Sequence, residues 1–150
     1  MTLADYIRKR NGVPLGSSHA LRNNLYRSLG AKNFSAFWTY WNPIFGYYLG
    51  KRIFKPLKKH LAPALALLIT FLFCGMVHDA VTTLLRGSIS LFFSLWFLLM
   101  AIGVLVTRLL KQDLSTKPWG IRAGANLLII AVCLLLTNKL HPLLLTWFQV

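Results

Sequence analysis

The chain has 150 residues, of which 56% are hydrophobic, with seventeen Lys and Arg against three Asp and Glu. That is too apolar for a water-soluble domain of this length, and the cations lie beside apolar runs, where anionic lipid headgroups match them better than nucleic acid does. Three runs reach the ~20 apolar residues that a bilayer crossing needs: residues 61–85, 88–107 and 123–140. The expected fold is an all-α polytopic membrane protein, with amphipathic or re-entrant N-terminal helices followed by three transmembrane helices.

Residues 1–32 mix short polar and apolar groups with the turn signals "NG", "PLGSS" and "LG", which predicts short cytoplasmic or interfacial helices. Within them "SHALRNNLYRSLG" repeats Leu21, Leu25 and Leu29 at every fourth position, with Arg22 and Arg27 off that stripe, as a surface helix would. The first sixty residues carry eleven of the Lys and Arg and no continuous apolar run, so the N-terminus is expected to be retained on the side of synthesis. Beside the spans, the N-terminal segment and the Arg108 to Arg122 loop hold fifteen cations, whereas Arg86 and Lys139 stand alone on the other side. The positive-inside rule then places the N-terminus in the cytoplasm and the C-terminus outside; a bacterial inner membrane is the expected location.

Residues 33–60, "NFSAFWTYWNPIFGYYLGKRIFKPLKKH", begin with aromatics and end with cations, which suits a re-entrant or interfacial helix pair. Pro43 disfavours helical geometry at Asn42, and Asn before Pro is a good helix start, so the pair should break at Asn42. Beyond it Lys51, Lys55, Lys58 and Lys59 share a face until Pro56 interrupts the hydrogen bonding. Phe37, Trp38, Tyr40 and Trp41 suit either an apolar entrance or an interfacial belt.

The first span carries "GMVHD", an imidazole and a carboxyl group inside an apolar run. An Asp at the centre of a span costs roughly 2.5–3.5 kcal/mol, and such groups face a cavity or a partner. On a helix Cys74, Gly75 and Thr82 share the face of His78. Gly75 would leave room beside the ring, and Thr82 could bond one ring nitrogen and leave the other to take a proton. Asp79 points about a quarter-turn away, where it would orient another helix or form an ion pair. From these residues alone, His78 as a base and His78 as interhelical glue stand equally. The second span has no ionisable residue, the third carries Asn126 and Thr137 as polar features, and the tail "HPLLLTWFQV" either lies on the surface or lengthens the third helix. Cys74 and Cys133 read as small hydrophobes, with no metal-ligand spacing and no metal expected.

Taken together, "FWTYWNPIFGYYLGKRIFKPL" and "GMVHD" resemble the membrane-bound O-acyltransferase family. Phe37, Trp38, Trp41, Asn42, Leu49, Ile53, Phe54, Pro56 and Leu57 fall without a gap on the pattern of its polysaccharide-modifying branch, and Gly75 and His78 on its later Gly-x-x-His. Asn42 after Trp41 matches the sterol and diacylglycerol acyltransferase branch, whereas Thr39 stands where that branch carries Asp. The resemblance spans about Phe34 to Thr82 and implies transfer of an acyl group from a thioester donor, acyl-CoA or an acyl carrier protein, to a hydroxyl acceptor. It implies His78 as general base, with Asn42 binding substrate or the oxyanion; no cofactor is expected beyond the thioester co-substrate. Trp38, Trp41, Cys74, Gly75, Thr82, Lys51 and Lys55 are the expected substrate-binding residues. Three spans cannot enclose a water-shielded site, so a homo-oligomer or a larger membrane partner is expected to supply the missing walls, with membrane lipids around it. The alternative is a non-catalytic assembly or lipid-binding subunit of the same family.

Overall fold

The computed structural model describes residues 1–148 and, among them, is entirely helical. Four short helices come first: α1 (Leu3–Asn11), α2 (Ala20–Leu29), α3 (Phe34–Tyr40) and α4 (Pro43–Leu49). A π-helical stretch, Gly50–Phe54, leads into α5 (Lys55–Leu57), and three long helices follow: α6 (Pro63–Arg86), α7 (Phe92–Leu109) and α8 (Trp119–Phe148). These three are long and apolar enough to cross a membrane. α7 packs against both α6 and α8.

Local chemistry explains most of the helix ends. Thr2 and Asp5 form a reciprocal capping box that starts α1, and Gly12 at φ 81° stops it. Asn33 caps α3 through its side-chain oxygen, which accepts from Ala36 N at 2.8 Å. Asn42, left-handed at φ 41° and ψ 72°, separates α3 from α4, with Pro43 in the first turn of the new helix, as the sequence predicts. Asn tolerates that conformation better than most residues. Pro56 interrupts the regular hydrogen bonding, as the sequence predicts, and α5 ends one residue beyond it at Leu57. The π turn ahead of it shifts the bonding to five-residue spacing, with Lys55 N donating to Gly50 O, and so absorbs the missing proline N–H.

Two of the long helices differ in extent from the expected spans. The second begins at Phe92 rather than at residue 88, because residues 87–91 make the turn after Gly87 at φ 72°. The third runs from Trp119 through Pro142, so the tail lengthens the helix as far as Phe148; proline is tolerated in membrane helices. The last two residues of the tail lie outside the described part.

At one end, the N-terminal helices and the α7–α8 loop are joined. Leu114 N donates to Lys32 O at 2.9 Å, and Asn126 Nδ2 donates to the carbonyls of Leu29 and Ala31. From that end α3 wedges between the long helices, burying Phe34 and Phe37 with Cys74, Phe97, Met100, Val104 and Cys133. Apolar burial drives no association between helices in lipid, so their contact rests on close packing and hydrogen bonds. Gly75 supplies the closest approach: a Cβ there would stand 2.6 Å from Phe93 O and from Ser94 Cα.

Candidate active site

His78 and Asp79 are neighbours on α6 with opposite surroundings. Asp79 is 4% exposed, and its two carboxyl oxygens accept from Phe93 N at 2.9 Å and Ser94 N at 2.7 Å. Those are backbone donors of the first turn of α7, which no residue of that helix can satisfy. Asp79 thus caps α7 from the adjacent helix and places an acidic group at its positive end. Of the two roles expected for it, orienting another helix is the one observed.

His78 faces the other way, toward a cleft of about 280 Å³. Its Nδ1 lies 2.7 Å from Cys74 O, one turn earlier on α6. A carbonyl only accepts, so Nδ1 carries the hydrogen and Nε2 keeps its lone pair. The imidazole is bracketed by Phe97, Phe93 and Phe45, with ring centroids at 5.0, 5.6 and 6.4 Å. It remains exposed within the single chain.

Asn42 lines the same cleft. Its Oδ1 is committed to Phe45 N at 3.2 Å, the capping bond that starts α4, while its amide N–H groups have no partner among the described residues. Trp38 and Trp41 also line the cleft, Trp38 edge-on to Phe71 at 5.0 Å and Trp41 stacked on Phe37 at 5.5 Å. The aromatic cluster therefore divides: Phe37 is core, whereas Tyr40 turns to the far side of α3, beneath Arg27.

Several expected details are corrected. Thr82 does not hold the imidazole: its hydroxyl donates to Asp79 O at 3.0 Å, and the tautomer is fixed by the Cys74 carbonyl instead. Gly75 makes room for α7 rather than for the histidine ring, and neither Gly75 nor Thr82 lines the cleft. Cys74 does line it, buried. Lys51 folds over the Tyr47 ring, with Nζ 3.3 Å from its hydroxyl, and Lys55 is exposed; neither reaches the cleft, because the π turn leaves Gly50 and Phe54 facing it instead.

The cations that do line the cleft are Arg10 and Arg108. Arg108 donates from Nε and Nη2 to Ser35 Oγ at 3.1 and 2.7 Å, and Arg10 lies over the Tyr6 ring with its Nε buried and unpartnered. Neither faces a carboxylate, since Asp5 caps α1, Asp79 caps α7 and Asp113 pairs with Lys32 at 3.0 Å. Arg108 stands three turns along α7 from Phe97, about 16 Å by helical rise. The cleft thus carries two guanidinium groups and an imidazole, with Leu49, Leu67 and Phe71 also in its lining. Sequence reasoning missed both arginines, because on the chain they are indistinguishable from the other cations that flank the spans.

Three helices long and apolar enough to cross a membrane, with His78 of the first and Asn42 lining one cleft, define an integral membrane protein with a polar cleft. The model of the MBOAT, membrane-bound O-acyltransferase family, matches residues 14–146, and the chain belongs to that family. The match runs from ahead of α2 into the last helix, well beyond the Phe34 to Thr82 stretch that carries the resemblance. No curated protein and no solved structure matches the chain.

Proposed function

We propose that this chain transfers an acyl group from a thioester, acyl-CoA or an acyl carrier protein, to a hydroxyl, with His78 as the general base. The observation that carries the reading is the donated bond from Nδ1 to Cys74 O, which leaves Nε2 as a proton acceptor in a cleft that also bears two unneutralised guanidinium groups. Nε2 takes the acceptor's hydroxyl proton as its oxygen attacks the thioester carbonyl. The free amide N–H groups of Asn42 meet the oxyanion. Collapse of that intermediate expels the thiolate, which recovers the proton from the imidazolium. Arg10 and Arg108 suit the phosphate of the donor, in place of Lys51 and Lys55 among the expected substrate-binding residues.

All three acids are engaged elsewhere, so His78 works without a carboxylate partner. The histidine contacts the backbone of Cys74 rather than its thiol, which favours direct transfer over an acyl-enzyme. His78 is exposed on a helix that crosses the membrane, a costly place for a polar ring facing lipid. A second copy or a larger membrane partner would close that wall, with the N-terminus and the α7–α8 loop in the cytoplasm of a bacterial cell.

The test is acyl transfer from a radiolabelled thioester by the full chain in nanodiscs. His78→Gln should abolish transfer with assembly intact, Asn42→Ala should lower kcat, and Cys74→Ser should remain active. Full activity of an isolated monomer would refute the missing wall, and full activity of His78→Gln would refute the base.

A further inference from the structure

A second cleft, of about 350 Å³, lies at the loop end on the opposite side of α3 from the His78 cleft. It is lined by Arg27, Lys32, Tyr40, Ser115, Trp119 and Arg122 among others, and no acid lines it. Its frame is firmly built. The Trp119 indole N–H donates to Tyr26 O at 2.9 Å, its ring stacks on Tyr26 at 5.4 Å, and Asn126 ties the start of α8 to the carbonyls of Leu29 and Ala31.

The charges in this cleft are only partly answered. Lys32 pairs with Asp113, but Arg27, lying over the Tyr40 ring at 5.4 Å and against Gly12 at the end of α1, donates no hydrogen bond among the described residues, and Arg122 has a buried Nε without a partner there. A guanidinium N–H removed from water without an acceptor is unfavourable, so the geometry asks for an oxygen anion. Trp119 and Arg122, which line the cleft, belong to the first turn of α8, the positive end of that helix.

The position identifies which anion. Trp119 opens a helix that crosses the membrane, and Tyr26, Tyr40 and Trp119 are the aromatic type that sits at headgroup level. We infer that this cleft binds the phosphate of an anionic phospholipid headgroup, held by Arg27 and Arg122, as a site separate from the His78 cleft and independent of the acyl-transfer reading.

Native mass spectrometry of the full chain released from nanodiscs of equal phosphatidylglycerol and phosphatidylcholine tests this. The wild type should retain phosphatidylglycerol in about tenfold preference. The double variant Arg27→Gln, Arg122→Gln should lose that preference, while Arg8→Gln, Lys9→Gln on α1 should keep it. In the wild type, a phosphatidylglycerol analogue with a photoreactive headgroup should label residues 26–40 and 115–122, a readout that needs no folded variant. Equal retention of the two lipids, a preference surviving in the double variant, or labelling confined to the Lys51 to Lys59 segment would overturn the inference. Displacement of the lipid by millimolar inorganic phosphate would also overturn it, in favour of a soluble anion.

Discussion

Two adjacent residues of α6 divide the molecule's polar chemistry between them. On the Asp79 face everything is closed: both carboxyl oxygens are bonded, the group is buried, and Gly75 lets α7 approach close enough to be capped. On the His78 face one nitrogen is bonded, one is free, and the ring looks into an open cleft. A helix turns about 100° per residue, so neighbours in sequence serve different partners. Polar groups of one helix can therefore do unrelated work, with Asp79 holding the fold and His78 left available.

The largest expected effect lies on the open face. Replacing His78 by Gln should lower acyl transfer by about 10²–10⁴-fold while thermal unfolding of the chain stays unchanged. Thr82→Val should leave the rate within about twofold, since the threonine hydroxyl serves Asp79 O and not the ring. A large rate loss in Thr82→Val would erase the division between the faces.

On the closed face the effect moves to stability. Asp79→Ala strands two buried N–H groups of α7 and should cost about 2–4 kcal/mol, read as a lower unfolding midpoint in mild detergent. Asp79→Asn, which keeps an acceptor, should cost less. Gly75→Ala should follow at about 1–3 kcal/mol, because the added methyl forces α6 and α7 apart. Equal losses of stability in the His78 and Asp79 variants would show that both faces are structural.

The smallest effect belongs to the loop end. The backbone N–H of Ser115, then its hydroxyl and Lys32, hold the Asp113 carboxyl down at about 2. Its stabilisation is therefore present above the ordinary carboxylate range and lost as pH falls from about 4 toward about 2. With both partners exposed, the loss should be barely measurable. Amide exchange at Leu114, which donates to Lys32 O, is the sensitive probe.

Much was legible in the chain itself. Apolar run length gave three membrane helices, the Asn42–Pro43 pair gave the break between α3 and α4, and the Trp-Asn and Gly-x-x-His spacings gave the family. These are local properties, decided by backbone geometry and by the length a bilayer imposes. The partner of the imidazole was not legible: Thr82 and the Cys74 carbonyl are both one turn away, and only side-chain direction and packing chose between them. The role of Gly75 was equally hidden, because the glycine could have served the ring on its own face or the helix beside it.

The sequence by itself thus determined the class, the number of spans, the family and the identity of the two polar residues, all of which depend on neighbours along the chain. Only the tertiary structure decided that Asp79 caps α7, that Arg10 and Arg108 share a cleft with His78 while Lys51 and Lys55 do not, and that Arg27 and Arg122 line a second cleft. Those assignments join residues as much as ninety-eight positions apart. Which cation faces which cleft is set by how helices pack, a property that no periodicity in one helix records.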